Sequence, residues 1–467
     1  MTGFATLTTL AAALFAAGCA NLDHSRSTGA DATPPIVFVH GNGDSAALWQ
    51  TTYWRFESNG WPRARLHAIN LPYPLAREDD SKPQPGRSST ADHRDYLKNE
   101  IEKVLRTTGA SQVVLVGNSR GGNAIRNYIQ TSMQSGTVNV SHAILGGTPN
   151  HGVWSRAGDR EGNEFSGSGP FLTGLNAPKN AAGDEVSGPV RWMTIRSDNN
   201  DKFAQPDAGW PGSNGKPTGV DYAGPELKGA NNVVIAGIDH RETSYSAPAF
   251  DATYRFITGR APATLAIVPE AQVTLAGIVT GSGVNALDAK SGNFASNMPL
   301  PGARVEVYAV QPAGSDAGSR IGQALHTETI GADGKWGPLR AQPGVPYEFV
   351  VSAPGYASTH IYRSGFPRSS DIIVLRPERI AEADHAAKQI VLLTRPRGYL
   401  DSARDRMLLD GRAPGGLPAR GGMLATSKLL LQEEAPRTVQ AEFNDERLVG
   451  RSWSAADGHV TLLELTQ

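Results

Sequence analysis

The chain has 467 residues, enough for two or three domains that each enclose a core. Its 44 Lys and Arg balance 45 Asp and Glu to a net charge of −1, which argues against nucleic acid or an acidic membrane surface as an electrostatic partner. The 52 glycines and 31 prolines, without any fixed-period repeat, exclude coiled-coil and helical-repeat architectures, and the single cysteine excludes an intramolecular disulfide and a Cys-based metal site.

In chain order, residues 7–17 form an apolar run too short to span a bilayer as a mature helix but suited to a signal-peptide core. It ends in Ala16-Ala17-Gly18-Cys19, which resembles the bacterial lipobox, where the cysteine is lipidated and becomes the mature N-terminus. Two departures are visible: no Lys or Arg precedes the run, and Ala16 stands where Leu is usual. The plainer alternative is an ordinary signal peptide with an incidental cysteine. The expectation is a leader over 1–19, an exported protein anchored to a membrane through Cys19, and a polar tether over 20–33.

Residues 34–260 alternate strand-like and helix-like patterns. Ile36-Val37-Phe38-Val39 reads as a buried strand and residues 66–71 as another. A helix is predicted over 92–107, with Leu97, Ile101, Val104 and Leu105 on one face and Gly109 as its stop signal. Further strands are predicted at 113–116, 142–147, 190–195 and 233–236. Apolar strands separated by helices imply a doubly wound, mostly parallel sheet covered on both faces, an α/β fold. From about residue 261 the pattern changes. Residues 303–310 alternate apolar or small with polar positions, and turns recur at Asp333-Gly334, Pro343-Gly344 and Pro354-Gly355, the signature of an all-β sandwich. The expected units are a β-sandwich over 261–376 and an additional β-rich domain over 377–467.

The chemistry is concentrated in Val113-Val114-Leu115-Val116-Gly117-Asn118-Ser119-Arg120-Gly121-Gly122. A buried strand runs into Gly-x-Ser-x-Gly and then into a segment with Ala124, Ile125, Tyr128, Ile129 and Met133 at helical spacing, the pattern of a nucleophile elbow. No Lys follows the glycines, so a phosphate loop is disfavoured. A serine nucleophile needs a base, a carboxylate to orient that base, and donors for the oxyanion. The first strand ends in His40-Gly41-Asn42-Gly43, which nominates the main-chain N–H of Asn42, with that of Arg120, as oxyanion donors. His40 precedes the nucleophile and is assigned to holding this loop. After the 190–195 strand come Asp198 and Asp201. Asp201 is preferred because it stands just before a turn closed by Gln205-Pro206. The base is expected last. His240 follows the strand at 233–236, with His142 and His151 as competitors, and Asp239 is read as a supporting or solvated residue. An insertion over 153–189, carrying Phe165, Phe171, Leu172 and Leu175, suits either a lid or a passive loop.

These segments together resemble the bacterial lipase/esterase branch of the α/β-hydrolase superfamily. The resemblance rests on His40-Gly41-Asn42-Gly43, Gly117-Asn118-Ser119-Arg120-Gly121-Gly122, Gly147-Thr148-Pro149-Asn150-His151-Gly152, Asp201 with Gln205-Pro206, and Ile238-Asp239-His240. Asn118 stands where many members have His. Residues 299–305, 333–336 and 353–356 resemble the transthyretin-like or carboxypeptidase-regulatory-like sandwich. The resemblance implies hydrolysis of lipid esters by Ser119, Asp201 and His240 without metal or organic cofactor. A polyester or polyhydroxyalkanoate depolymerase is the alternative of the same class, and a non-catalytic surface-binding lipoprotein the alternative of another. The catalytic residues all precede Arg260, so a chain ending near Gly259 is expected to keep its activity on soluble esters. Trp336, Tyr347, Tyr356, Tyr362 and Phe366 are candidates either for surface contacts or for core.

Overall fold

Four consecutive apolar residues with no polar alternation cannot sit on a half-solvated sheet, and Ile36–Val39 (β1) is fully buried. Around it, the computed structural model describes Met1 and residues 33–198, 200–203, 217–284, 293–294, 296–418 and 424–466. Cys19, most of the expected leader and tether, and Gln205-Pro206 lie outside the described residues.

Strands β1, Leu66–Ala68 (β2), Val113–Asn118 (β3), Val140–Gly146 (β4), Arg191–Ser197 (β5) and Asn231–Ile235 (β6) form one sheet in the order β2-β1-β3-β4-β5-β6. Every pairing in it is parallel. Helices Gln50–Ser58 (α1) and Ala247–Thr258 (α6) cover one face through Tyr53, Phe56, Phe250 and Tyr254. Helices Thr90–Thr108 (α2) and Arg120–Gln134 (α3) cover the other through Leu97, Ile101, Ile125 and Ile129. This is the doubly wound α/β fold expected from the sequence. The strand order reverses between β1 and β3, and the crevice beyond their carboxyl ends is where open α/β sheets bind ligands. Helix α2 starts two residues before the predicted boundary, because Ser89 and Asp92 form a capping box.

Beyond α6 the described residues form β-strands and connections, with one short 3-10 helix at Glu382–Asp384. Arg320–Thr329 (β9), Arg304–Val310 (β8), Tyr347–Ser352 (β11), Ser358–Arg363 (β12), His459–Glu464 (β19), Gln389–Thr394 (β14) and Thr426–Leu431 (β16) lie side by side in that order in one seven-stranded sheet. One of its faces packs on the sheet of Val273–Val279 (β7), Lys335–Ala341 (β10) and Ser370–Leu375 (β13), through Leu275, Trp336, Ile373, Ile390 and Leu462. Its other face packs on the sheet of Met407–Leu409 (β15), Thr438–Phe443 (β17) and Glu446–Arg451 (β18), through Val391, Leu393, Val439, Phe443 and Leu463. The boundary expected at 376/377 therefore does not separate two sheets. The central sheet runs across it where β12 pairs with β19 in parallel, from Ser358 opposite His459 to Tyr362 opposite Leu463. Strand β14 is buried on both faces, so its sequence has no alternation to betray it.

Candidate functional site

The site is assembled from four loops at the carboxyl ends of the parallel strands, those after β3, β1, β6 and, carrying Asp201, β5. At the first, β3 passes into α3 through Ser119, whose φ of 52° and ψ of −122° lie in a region that non-glycine residues rarely occupy. Strain of this kind persists only where the surroundings fix it. Here the Ser119 N–H donates to Gly146 O at 2.9 Å, and the Gly122 N–H donates back to Ser119 O at 3.0 Å. The flanking glycines are steric necessities. A Cβ on Gly117 would stand 2.8 Å from Gly122 N, and one on Gly121 2.3 Å from Val39 O. The turn thus aims Ser119 out of the sheet at the N-terminus of α3, where the helix dipole favours negative charge.

The second loop follows β1. A Cβ on Gly41 would meet the Ser119 Cβ at 3.0 Å, so this loop passes directly beside the serine. His40 is buried beneath it: its Nε2 accepts from Leu71 N–H at 3.1 Å, which leaves Nδ1 to donate to Gly41 O at 2.9 Å. Burial lowers the His40 pKa, consistent with a neutral ring holding the loop as expected. The Asn42 side chain turns away and accepts from Ala76 N–H at 2.8 Å, which leaves its main chain as the part that can serve an oxyanion.

The third loop carries His240. Its Nδ1 lies 2.9 and 3.0 Å from the two oxygens of Asp201, which is 1% exposed. A carboxylate there makes Nδ1 the donor and leaves Nε2 as the basic nitrogen. The Phe203 ring lies over the imidazole, with centroids 4.3 Å apart. Of the two candidate acids, Asp198 is directed elsewhere, accepting from Gly237 N–H at 3.0 Å. The competing histidines are also engaged elsewhere. His142 contacts Ser141 and Arg191, and His151 contacts Gly224 O and Glu185.

Two side chains that serve the site, those of Asn118 and Arg120, were given no role by sequence reasoning. Asn118 Nδ2 lies within hydrogen-bond reach of Gly146 O, His240 O and Thr243 Oγ1, at 3.2, 3.2 and 3.4 Å, and so fastens the histidine loop to the elbow. The Arg120 side chain is buried, pairs with Glu164 at 2.7 and 2.8 Å, and donates to Ser88 and Pro74 O. It thereby ties the elbow to the 153–189 insertion. Of the two readings of Asp239, supporting or solvated, its full burial leaves the first. The only local signal was their position beside Ser119 and His240.

A strained serine at a strand-to-helix elbow, a histidine on a later loop and a buried aspartate on its Nδ1 supply the groups that serine-nucleophile chemistry needs. Comparison with known families agrees. Residues 33–153 match the family Lipase (class 2), and residues 271–380 match the Lipase C-terminal domain, the region in which a β-sandwich was expected. The chain is thus similar to class 2 lipases over residues 33–153 and to the lipase C-terminal domain over residues 271–380. Similar solved structures include the lipase BlEst2 of Bacillus licheniformis (21% identity over 48% of this chain and 90% of that one, TM-score 0.29). The carboxylesterase CesB of Bacillus subtilis is 13% identical over 50% of this chain and 86% of that one, with a TM-score of 0.26. An esterase of Pyrobaculum calidifontis is 14% identical over 48% and 76%, with a TM-score of 0.32. None of the curated proteins matches the chain.

Proposed function

We propose that this protein is an exported serine carboxyl-ester hydrolase acting on lipid esters through an acyl-enzyme. The observation that carries the proposal is the buried Asp201 carboxylate on His240 Nδ1, beside an elbow that presents a strained Ser119. In the first half-reaction His240 Nε2 takes the Ser119 hydroxyl proton as Oγ bonds to the ester carbonyl carbon. The resulting oxyanion is stabilised by the main-chain N–H groups of Asn42 and Arg120. It collapses with cleavage of the bond to the alkoxy oxygen, which leaves as alcohol with the proton from His240. Water then attacks the acyl-serine by the same relay, releasing the acid and restoring the Ser119 hydroxyl. Asp201, on Nδ1, fixes the tautomer and stabilises the imidazolium.

A panel of p-nitrophenyl esters from two to sixteen carbons, an emulsified triglyceride and a polyester film tests this. Wild type is expected to hydrolyse the esters and the emulsion, and Ser119→Ala to lower turnover by roughly a million-fold with the fold retained. A folded Ser119→Ala protein with near-wild-type turnover overturns the proposal, and preference for the film moves the substrate class to polyesters. Attachment to a membrane through lipidated Cys19 belongs to the same proposal. An unmodified mature N-terminus downstream of Cys19 in intact-mass measurement contradicts it.

A further inference from the structure

The loop that carries His240 is held from outside the hydrolase unit. After β6 the chain turns at Gly237, passes Asp239 and His240, and enters a short helix, Glu242–Tyr245 (α5). Asp239 and Glu242 are both buried and straddle His240. Asp239 Oδ1 accepts from the N–H groups of Arg241 and Glu242 at 2.9 Å each, and Glu242 Oε2 accepts from Asp239 N–H at 2.8 Å. Two carboxylates so close together in a dry environment repel each other, and burial followed by Asp239 pushes the Glu242 carboxyl above its usual range.

The opposing charge comes from residues beyond β14. Arg395 Nη1 reaches Asp239 Oδ2 at 3.2 Å, and its Nη2 reaches Glu242 Oε1 at 2.5 Å. Arg404 Nη1 donates to Glu242 Oε2 at 2.6 Å and to Gly237 O at 3.1 Å. The Tyr399 N–H donates to Asp239 Oδ2 at 2.9 Å. The Arg395 side chain is 5% exposed, held by Tyr399 O at 2.6 Å and Tyr245 Oη at 3.1 Å, with its guanidinium carbon 4.6 Å from the centre of the Phe443 ring. Tyr399 also carries the contact onward: its ring lies 6.3 Å from that of Phe203, which covers the imidazole.

We propose that Arg395 is a positioning residue for ester hydrolysis, clasping Asp239 and Glu242 on either side of His240 and so holding the imidazole against Asp201 and beside Ser119. The C-terminal β unit is on this account a working part of the catalytic apparatus. The inference rests on the assignment of Ser119, Asp201 and His240 made above. A guanidinium is required because its planar fork meets two carboxylates at once, which a single ammonium does not.

Among the described residues, the charged and titratable groups around the histidine loop include the carboxylates of Asp44, Asp198, Asp201, Asp239 and Glu242, the guanidiniums of Arg55, Arg241, Arg395 and Arg404, the phenols of Tyr245 and Tyr399, and Asp405 against Arg404. Removing Arg395 leaves the carboxylates in excess, which favours the imidazolium. Arg395→Met is therefore expected to lower kcat on p-nitrophenyl butyrate on the order of 100-fold, with KM little changed. The acid limb of the kcat/KM profile should also move to higher pH. The active-site fraction, titrated with a fluorophosphonate, should stay near that of wild type while the labelling rate falls. Glu242→Gln in the Arg395→Met background should restore part of the loss. If Arg395→Met does not fold, Arg395→Lys is decisive: reduced kcat at unchanged KM supports the clasp, and wild-type kcat overturns it. A folded Arg395→Met protein with kcat within twofold of wild type, or one whose whole loss is a reduced active fraction, overturns the inference alone. Failure of wild type itself to hydrolyse esters or label at Ser119 overturns the hydrolase assignment with it.

Discussion

At the scale of single residues, the choice between Asp198 and Asp201 shows what sequence position can and cannot settle. Both aspartates follow β5, and both are held by hydrogen bonds near the histidine loop. Only Asp201 meets the imidazole, whereas Asp198 accepts a main-chain N–H from Gly237. An asparagine at 198 keeps an oxygen acceptor for that N–H, so Asp198→Asn is expected to leave turnover within a few-fold of wild type. Asp201→Asn removes the charge that fixes the tautomer and stabilises the imidazolium, and about a 10⁴-fold loss in kcat is expected. Parallel kinetics of the two folded variants on one soluble ester check this, and the reverse order of losses moves the acid to Asp198. The Asp201–His240 contact and the elbow at Ser119 were foreseeable as geometry because each residue follows an apolar strand of the parallel sheet. Asn118 was not legible as a clamp, because its contact to His240 spans 122 positions of sequence and exists only once β3 and the histidine loop have been brought together.

At the scale of elements, the apolar strands and the amphipathic helices were readable from period and caps, while the 153–189 insertion was not. Its aromatic and Gly-rich composition suits a moving lid as well as a fixed wall. In the structure its first part is anchored. Val153, Trp154 and Phe165 form a small cluster with Ala76, and Glu164 forms a buried pair with Arg120. Later in the insertion, Pro170–Asn176 (α4) buries Leu172 and Leu175, and Asn176 accepts from Arg126 at 2.6 Å. Magnitude separates this pair from those on the surface. The exposed Lys98–Glu102 contact is worth about 0–1 kcal/mol, whereas breaking a buried pair from one side costs about 3–5 kcal/mol, because the remaining charge is stranded. Burial pushes the Glu164 carboxyl up, and the Arg120 guanidinium opposes that shift. Glu164→Ala is accordingly expected to destabilise the protein by about 3–5 kcal/mol in urea unfolding. A change under about 1 kcal/mol would show that the insertion is not held by this pair.

At the scale of the molecule, an α/β region is followed by a β-rich one, as the change of pattern near residue 261 suggested, but composition gave no sign of how far the two depend on each other. Trp54 of α1 is built into the core of the β unit and donates its Nε1–H to Ser369 O at 2.9 Å. Arg63 reaches the same carbonyl at 2.7 Å, and Arg368 reaches Glu57 at 3.2 Å. The aromatics considered for surface binding are largely core: Trp336, Tyr347, Tyr362 and Phe366 are each no more than 2% exposed. Retained activity in a chain ending near Gly259 is therefore not what the structure supports. Such a chain exposes Trp54 and strands Asp239 and Glu242 without their arginines. It is expected to lose soluble-ester turnover on the order of 100-fold per folded molecule, or not to fold. A folded truncated protein within threefold of full-length kcat on p-nitrophenyl butyrate would show that the β unit is dispensable for bond cleavage. The dependence was invisible in sequence because Arg395 and Glu242 lie 153 positions apart, and an isolated arginine carries no mark of its partner.

The central claim is that Ser119 is the nucleophile, and covalent mapping tests it most directly. The full-length protein is treated with a fluorophosphonate until ester hydrolysis stops, then digested and sequenced by mass spectrometry. The expected result is one adduct per chain, on Ser119, accumulating in step with the loss of activity and absent from Ser119→Ala. Stoichiometric inactivation with the adduct on another residue, or full ester turnover in a protein whose Ser119 is quantitatively modified, would contradict it.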